Sequence, residues 1–366
     1  MHQSFSYSRE TWRRLKKNYW AMAALFFIGL ALLVAVFAYV LAPDHTPYAD
    51  LQTVEIQARK PGYQQLFLKL PAGESKTTNL LQRMYAGKPA NSKYLPIRSY
   101  KVVGDSVAVQ KLIDEDTAVL QVYSINEITR NQPASLNDHF EKRTFWLGTD
   151  SFGRDILSRL IIGTRVSLSV GFVAVFISLL LGTLLGALAG YYRGRVDAII
   201  SWFINVTWSI PTLLLVFAIS FAAGKGFWQI FIAVGLTMWV SVARLVRGQV
   251  LTILELEYIQ AAKVMGFSNA RIILRHILPN ILGPLLVIAA GNFATAIMLE
   301  SGLSFLGIGV QPPQPSWGLM MKENYHFIIT DNPLQALIPG IAIMLLVLSF
   351  NLLGNGLRDA VDVKMN

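Results

Sequence analysis

Six long apolar runs, almost free of charge, limit what this chain can fold into more than any other feature. A bilayer core takes about 20 mostly apolar residues as one helix. The runs lie at 19–42, 166–192, 198–224, 226–243, 277–302 and 334–353, and within them Glu300 is the only acidic or basic side chain. Apolar residues make up 53% of the 366, charged residues 15%, and the mean hydropathy is +0.45. One soluble core of this length cannot bury that much apolar surface, so the expectation is an all-α polytopic membrane protein with six transmembrane helices. The first run follows basic residues, yet it exceeds the ~7–15 residues of a signal-peptide core and lacks a small-residue cleavage site. It reads as a retained anchor. Cysteine is absent, which excludes disulfides, iron–sulfur clusters and thiol catalysis. The five histidines, at 2, 45, 139, 276 and 326, are too scattered for a metal site.

Lys and Arg placement sets the expected orientation, because basic residues of short loops stay cytoplasmic. Arg9, Arg13, Arg14, Lys16 and Lys17 precede the first run; Arg193 and Arg195 follow the second; Arg244, Arg247, Lys263, Arg271 and Arg275 follow the fourth; Arg358 and Lys364 end the chain. The short loops on the opposite side hold only Lys225 and Lys322. Residues 1–18, 358–366 and the loop after the fourth run are therefore expected in the cytoplasm. The net charge of +10 is mostly this topology signal, and no motif or aromatic-basic interleaving points to nucleic acid.

Residues 43–144 then fall outside the cell membrane as an extracytoplasmic insertion, followed by a lead-in at 145–165. Stretches at 53–58, 64–70, 100–109 and 118–125 mix β-branched and aromatic residues with polar ones, between turn signals at Pro61-Gly62, Pro71-Ala-Gly73 and Gly104-Asp105. A β-rich or mixed domain is expected, either a solvated cap or a docking aid for a binding protein. Gly73-Glu-Ser-Lys76-Thr77-Thr78 superficially resembles a phosphate-binding loop. It fails, because Ser75 and Leu70 stand where such a loop needs glycine. ATP, if used, is hydrolysed on another polypeptide.

Residues 255–280, ELEYIQAAKVMGFSNARIILRHILPN, are polar, basic and helix-forming, caught between two apolar runs. Tyr258 to Met265 are good helix formers, Gly266 suits a left-handed helix end, and Ser268 is placed to cap a second helix. Ala261 and Ala262 would let a partner approach closely, in a helix-in-groove contact. By periodicity alone, the segment equally suits an interfacial helix tying two spans together.

Tyr258-Ile-Gln-Ala-Ala-x3-Gly266, with Arg275-His-Ile-Leu-Pro279-Asn280, resembles the EAA loop of the oligopeptide/dipeptide ABC importer permeases, C-type subunit. Leu147-Gly-Thr-Asp-Ser-Phe-Gly-Arg-Asp155-Ile-Leu-Ser-Arg159 and Glu300-Ser-Gly-Leu-Ser-Phe-Leu-Gly-Ile-Gly309, with Ser316-Trp317-Gly318 beyond, extend the likeness over most of the chain from Phe145 onward. Gln260 and His276 vary from the general pattern, and the 43–144 region is longer than expected. The resemblance implies a type I ABC importer fold with its permease core at 166–357. It also implies a coupling loop in which Glu257, Tyr258, Gln260, Ala261, Ala262, Lys263, Gly266, Arg271 and Pro279 meet an ATPase. The implied partners are a second homologous permease, two ATPase subunits carrying ATP and Mg, an extracytoplasmic substrate-binding protein and membrane lipid. The implied place is a bacterial inner membrane, with no cofactor or catalysis on this chain itself. Peptides are the expected cargo, with nickel, opines or modified peptides as alternatives.

Two further features stand out. Glu300, near the end of the fifth run, is either a pathway residue, since an intramembrane carboxylate is costly, or a structural one bonded to neighbouring amides. Gly182, Gly186 and Gly190 place small residues on one face of the second run, as a packing seam, and Pro211 marks a kink in the third. The rival readings are a stand-alone secondary transporter with Glu300 as an ion relay, and a membrane-anchored scaffold for the exported domain.

Overall fold

The computed structural model describes residues 7–71, 79–89, 92–114, 116–129, 136–224, 226–329 and 332–361. The Gly73 to Thr78 segment lies outside them. In chain order the principal elements are α1 (Tyr7–Leu15), α2 (Tyr19–Val36), β1 (Tyr63–Pro71), β2 (Ser92–Val103), β3 (Ser106–Leu112), β4 (Ala118–Ser124) and β5 (Phe140–Phe145). They continue with α3 (Ile156–Tyr192), α4 (Gly194–Ser209), α5 (Thr212–Ala223), α6 (Phe227–Leu254), α7 (Glu257–Val264), α8 (Leu282–Phe305), α9 (Trp317–Asn324) and α10 (Leu334–Val361). Among the described residues, five helical stretches are long and apolar enough to cross a membrane, and the bent pair α4–α5 makes a candidate sixth.

The chain divides into two compact units, the first comprising residues 1–32, 167–311 and 342–366, the second 33–166 and 312–341. The first unit is helical, and α6 is its spine. Ile230, Phe231, Val234 and Met238 pack with Val170, Ala174, Val216, Ala296 and Leu303. Further along, Val242, Val246, Val250 and Leu254 pack with Ala187, Ile259, Ala262, Ile272 and Ile277. Close approach to α6 explains the glycine series. A Cβ at Gly182 would strike Val242 and the Trp239 carbonyl, one at Gly186 Val246 and the Ala243 carbonyl, and one at Gly190 Val250 and the Arg247 carbonyl.

The second unit holds an antiparallel sheet of order β4-β3-β2-β1-β5. Alternation along the strands supplies both of its faces. Leu68, Leu95, Ile97, Val107 and Val109 gather with Ile128 on one side, while Phe67, Leu112 and Phe145 close on Ile56. The stretch read as 100–109 is the hairpin of β2 and β3 around Gly104, whose φ is 58°. The stretch at 53–58 is not a strand. It forms a 3-10 turn at Val54–Ile56 that sinks Ile56 into the sheet's underside, and its backbone bonds to the 148–154 loop rather than to a strand: Thr53 N–H to Phe152 O at 3.1 Å and Ala58 N–H to Asp150 O at 3.0 Å.

The helices overrun the apolar runs. Helix α3 begins at Ile156, inside the expected lead-in, α6 runs to Leu254 rather than 243, and α10 to Val361 rather than 353. Hydropathy marks only the part that needs lipid, whereas a helix continues until a cap or breaker ends it. The third run departs further. Pro211 cannot donate and disfavours helical geometry at Ile210, which is extended (φ −93°, ψ 128°), so the chain turns by 98° between α4 and α5 instead of kinking. The fifth run starts in a π-helical turn, Ile272–Ile277, and a 3-10 turn, Leu278–Ile281. Pro279 lacks the N–H that a regular ladder would use there, and the widened turn accommodates its ring.

Candidate functional site: the loop at 255–280

The loop is a closed motif built on the end of α6. Leu254 leaves an unpaired helix carbonyl, and the Gln260 side-chain amide donates to it at 2.7 Å. That bond doubles the chain back, so α7 seats Ile259 and Ala262, both buried, on the lower core of α6. Burying a side chain the size of Ile259 contributes roughly 1.5–3 kcal/mol. At the far end, Gly266 has φ 77°. Its N–H donates to Lys263 O, and the Phe267 N–H reaches Ala262 O at 3.1 Å, the paired bonds of a Schellman ending. A Cβ at Gly266 would meet nothing within 4 Å, so the position demands glycine for its backbone angle and not for space.

Three contacts fold the second half back. The Ser268 hydroxyl accepts from Arg271 N–H at 3.4 Å and caps the next turn. The Asn280 amide donates to Tyr258 Oη at 3.1 Å, tying α7 to the entry of α8. The rings of Phe267 and His276 stack with centroids 6.0 Å apart. Gln260 and His276, the two departures from the general pattern, thus serve the loop's own construction. Arg271 lies over the Phe267 ring at 5.2 Å, and Pro279 is exposed beside Asn280.

The two alanines part company. Both were expected to face a partner, but Ala262 is 3% exposed within its own unit and only Ala261 points outward. Besides Glu257, Gln260, Ala261 and Lys263, which are exposed, α7 and its flanking residues present apolar side chains. Val264 is 89% exposed, Met265 65%, and Tyr258 and Leu256 nearly half. Glu257 sits exposed in the first turn, where a carboxylate complements the helix dipole. The approach to the loop is braced by a bidentate Arg247–Asp197 pair at 2.5 and 2.6 Å. An exposed Arg193–Glu255 pair at 2.5 Å adds about 0–1 kcal/mol.

Glu300 is fully buried in α8. Its carboxylate accepts from the Ser304 hydroxyl at 2.6 Å, and Ser304 in turn accepts from Val310 N–H at 2.9 Å. The Ser301 hydroxyl donates to the other Glu300 carboxylate oxygen at 3.5 Å.

A buried charge cluster in the second unit escaped the sequence reading. Arg154 Nε donates to Asp150 at 2.7 Å and Nη2 to Glu323 at 2.6 Å, while Arg159 Nη2 reaches the same Glu323 oxygen at 3.1 Å; Asp50 flanks both arginines. Burial works against the charge of Arg154, but Asp150, Glu323 and Asp50 outweigh it and hold the guanidinium above its ordinary value. Asp155 lies nearby, and burial pushes its carboxyl above the usual carboxylate range, the Ser158 hydroxyl and amide pulling it partly back. Gly148 and Gly153, at φ 80° and 71°, let this loop lie against the backbone of Arg59 and Thr53, where a Cβ would collide. The sequence signal was present in the charges packed into Asp150 to Arg159. Their acidic partners at 50 and 323 are remote in sequence, and nothing local points to them.

The long apolar helices define the class as a multi-pass membrane protein. Residues 182–366 match the family described as binding-protein-dependent transport system inner membrane component, and residues 6–61 match the N-terminal TM domain of oligopeptide transport permease C. The dipeptide transport system permease protein DppC of Alkalihalophilus pseudofirmus is 46% identical over 220 residues, 60% of this chain and 72% of that protein. The glutathione transport system permease protein GsiD of Pectobacterium atrosepticum is 43% identical over 60% of this chain and 73% of its own length. DppC of Bacillus subtilis is 33% identical over 99% of this chain and 87% of its own length. Among solved structures, an inward-facing MetNI methionine ABC transporter chain aligns at 20% identity and TM-score 0.46, covering 56% of this chain and 97% of that one. The chain belongs to the family of binding-protein-dependent transport inner membrane components, among the C-type permeases of peptide ABC importers.

Proposed function

We propose that this chain and a second permease form the translocation pathway of a bacterial peptide importer, driven through residues 255–280 by separate ATPase subunits. The observation that carries the reading is the face of α7. A helix on a closed motif turns Val264 and Met265 away from its own chain, and exposed apolar side chains on a rigid helix suit a groove on another protein. The names of the relatives, dipeptide and glutathione permeases, favour peptides over nickel or opines as cargo.

Both termini and the loop lie in the cytoplasm in this account, and 43–144 faces the binding protein outside. ATP and Mg bind the partner ATPases. Closure of those subunits pushes α7, and because Gln260, Ile259 and Ala262 fasten α7 to α6, the push reaches the spine of the helical unit as a rigid-body shift. Gly182, Gly186 and Gly190 keep α3 in register with that spine. The hydroxyl bonds at Glu300 favour a structural role, tying the end of α8 to the following loop, over an ion relay. The test is co-purification. The wild-type chain should bring ATPase subunits with it in mild detergent, and the Val264→Asp/Met265→Asp variant should lose them while still inserting. ATPase recovery unchanged in that variant would refute the assignment of this face.

A further inference from the structure

An apolar groove of about 670 Å³ runs along α3 beside the second half of the loop. Its walls are Leu180, Leu184 and Leu188 on α3 and Ile273, Leu274 and Leu278 opposite them. The α3 wall extends from Phe176 to Tyr192, sixteen rises of 1.5 Å, or about 24 Å. One leaflet's hydrocarbon is about 15 Å deep, half of a bilayer core. The groove therefore has the length and the volume of a ligand site for one extended chain, and its Leu180, Leu184 and Leu274 side chains are more than half exposed.

Cations neighbour one of its walls in sequence. Arg271 and Arg275 are exposed and alternate with the lining residues Ala270, Ile273, Leu274 and Leu278. Lys263 adds a third cation near that wall, its Nζ 5.8 Å from the ring of Tyr191, which precedes the lining Tyr192 and donates to Asn269 at 2.8 Å. The acids of the loop sit away from these cations in sequence. Glu255 is paired with Arg193, and Glu257 opens α7.

From this juxtaposition of an acyl-length groove with a cationic rim, we propose that the groove holds one anionic phospholipid of the cytoplasmic leaflet, its headgroup phosphate on Arg271 and Arg275. Basic clusters beside transmembrane helices on the cytoplasmic side favour anionic lipid in this way. The lipid would then wedge α3 against the moving loop, so the membrane's anionic content would tune coupling. The leaflet assignment rests on the cytoplasmic placement of 255–280 proposed above. Lipid binding itself needs neither ATPase nor transport.

The experiment is native mass spectrometry of the full-length chain in mild detergent, titrated with phosphatidylglycerol or with phosphatidylcholine of the same acyl chains. The wild type should retain one phosphatidylglycerol in clear preference. R271Q/R275Q should lose roughly thirtyfold in its apparent affinity, two cations' worth of attraction, and Leu184→Trp should fill the groove and abolish the retained lipid while leaving both arginines in place. Equal retention of the two lipids, or a preference indifferent to R271Q/R275Q, would overturn the proposal. So would cross-linking in native membranes of a Leu184→Cys variant to a second permease, a clean experiment because the chain has no cysteine of its own. Loss of ATPase co-purification with lipid preference intact would sink the coupling account and leave this one standing.

Discussion

Gly266 is the residue on which the loop's geometry turns, and the reason is angular. With φ 77° and open space around its Cα, any L side chain fits sterically, but a left-handed angle costs it about 1–2 kcal/mol. Asparagine tolerates that region and β-branched residues do not. Gly266→Asn should therefore retain most uptake and Gly266→Val should lose most of it, read as transport in cells with equal membrane levels of each variant. Asp155 makes a pH prediction. Its carboxyl titrates above its unfolded value because burial disfavours the charge, so the stability it contributes is full below the unfolded pKa and is lost as pH rises through the folded one. Asp155→Asn should flatten the pH dependence of thermal unfolding just above the ordinary carboxylate range, and an unchanged profile would count against this. The left-handed turn at Gly266 was readable from the sequence because a helix former, a glycine and a capping serine follow one another locally. The buried partners of Arg154 were not, because Asp50 and Glu323 come from distant segments.

At the scale of elements, the contact between α3 and α6 explains why glycine recurs every fourth residue. Gly186→Leu should abolish assembly of the helical unit, since even a Cβ would strike the Ala243 carbonyl, whereas Gly248→Ala, with nothing within 4 Å, should be neutral or slightly stabilising through its better helix propensity. Protease resistance of the inserted protein separates the two outcomes. Apolar runs located five long helices and the bent pair α4–α5, because lipid and helix cores demand the same side chains. They did not reveal where helices end. Arg244 and Arg247 look like loop residues by hydropathy, yet α6 continues through both because Asp197 neutralises Arg247 and Trp208 lies 3.2 Å from the Arg244 guanidinium. The strand pattern was legible at 64–70, which forms β1, and blurred at 100–109, which runs through the β2–β3 turn. It misled at 53–58, where a β-like composition folds as a turn because tethers to the 148–154 loop replace a neighbouring strand.

For the whole molecule, the proposed account has force enter at residues 255–280. The permease supplies no phosphate-binding loop that its sequence reveals. In that account the exposed Val264 and Met265 meet the partner, and α6 would carry the resulting motion inward. The most direct measurement is site-specific cross-linking from Val264→Cys in this cysteine-free chain, in membranes that also contain the cognate ATPase subunits. The account predicts a cross-link to an ATPase subunit whose yield changes when ATP binds, with position 264 shielded from a membrane-impermeant maleimide in right-side-out vesicles. Labelling of position 264 from the outside, or no ATPase cross-link in membranes that transport normally, would contradict it.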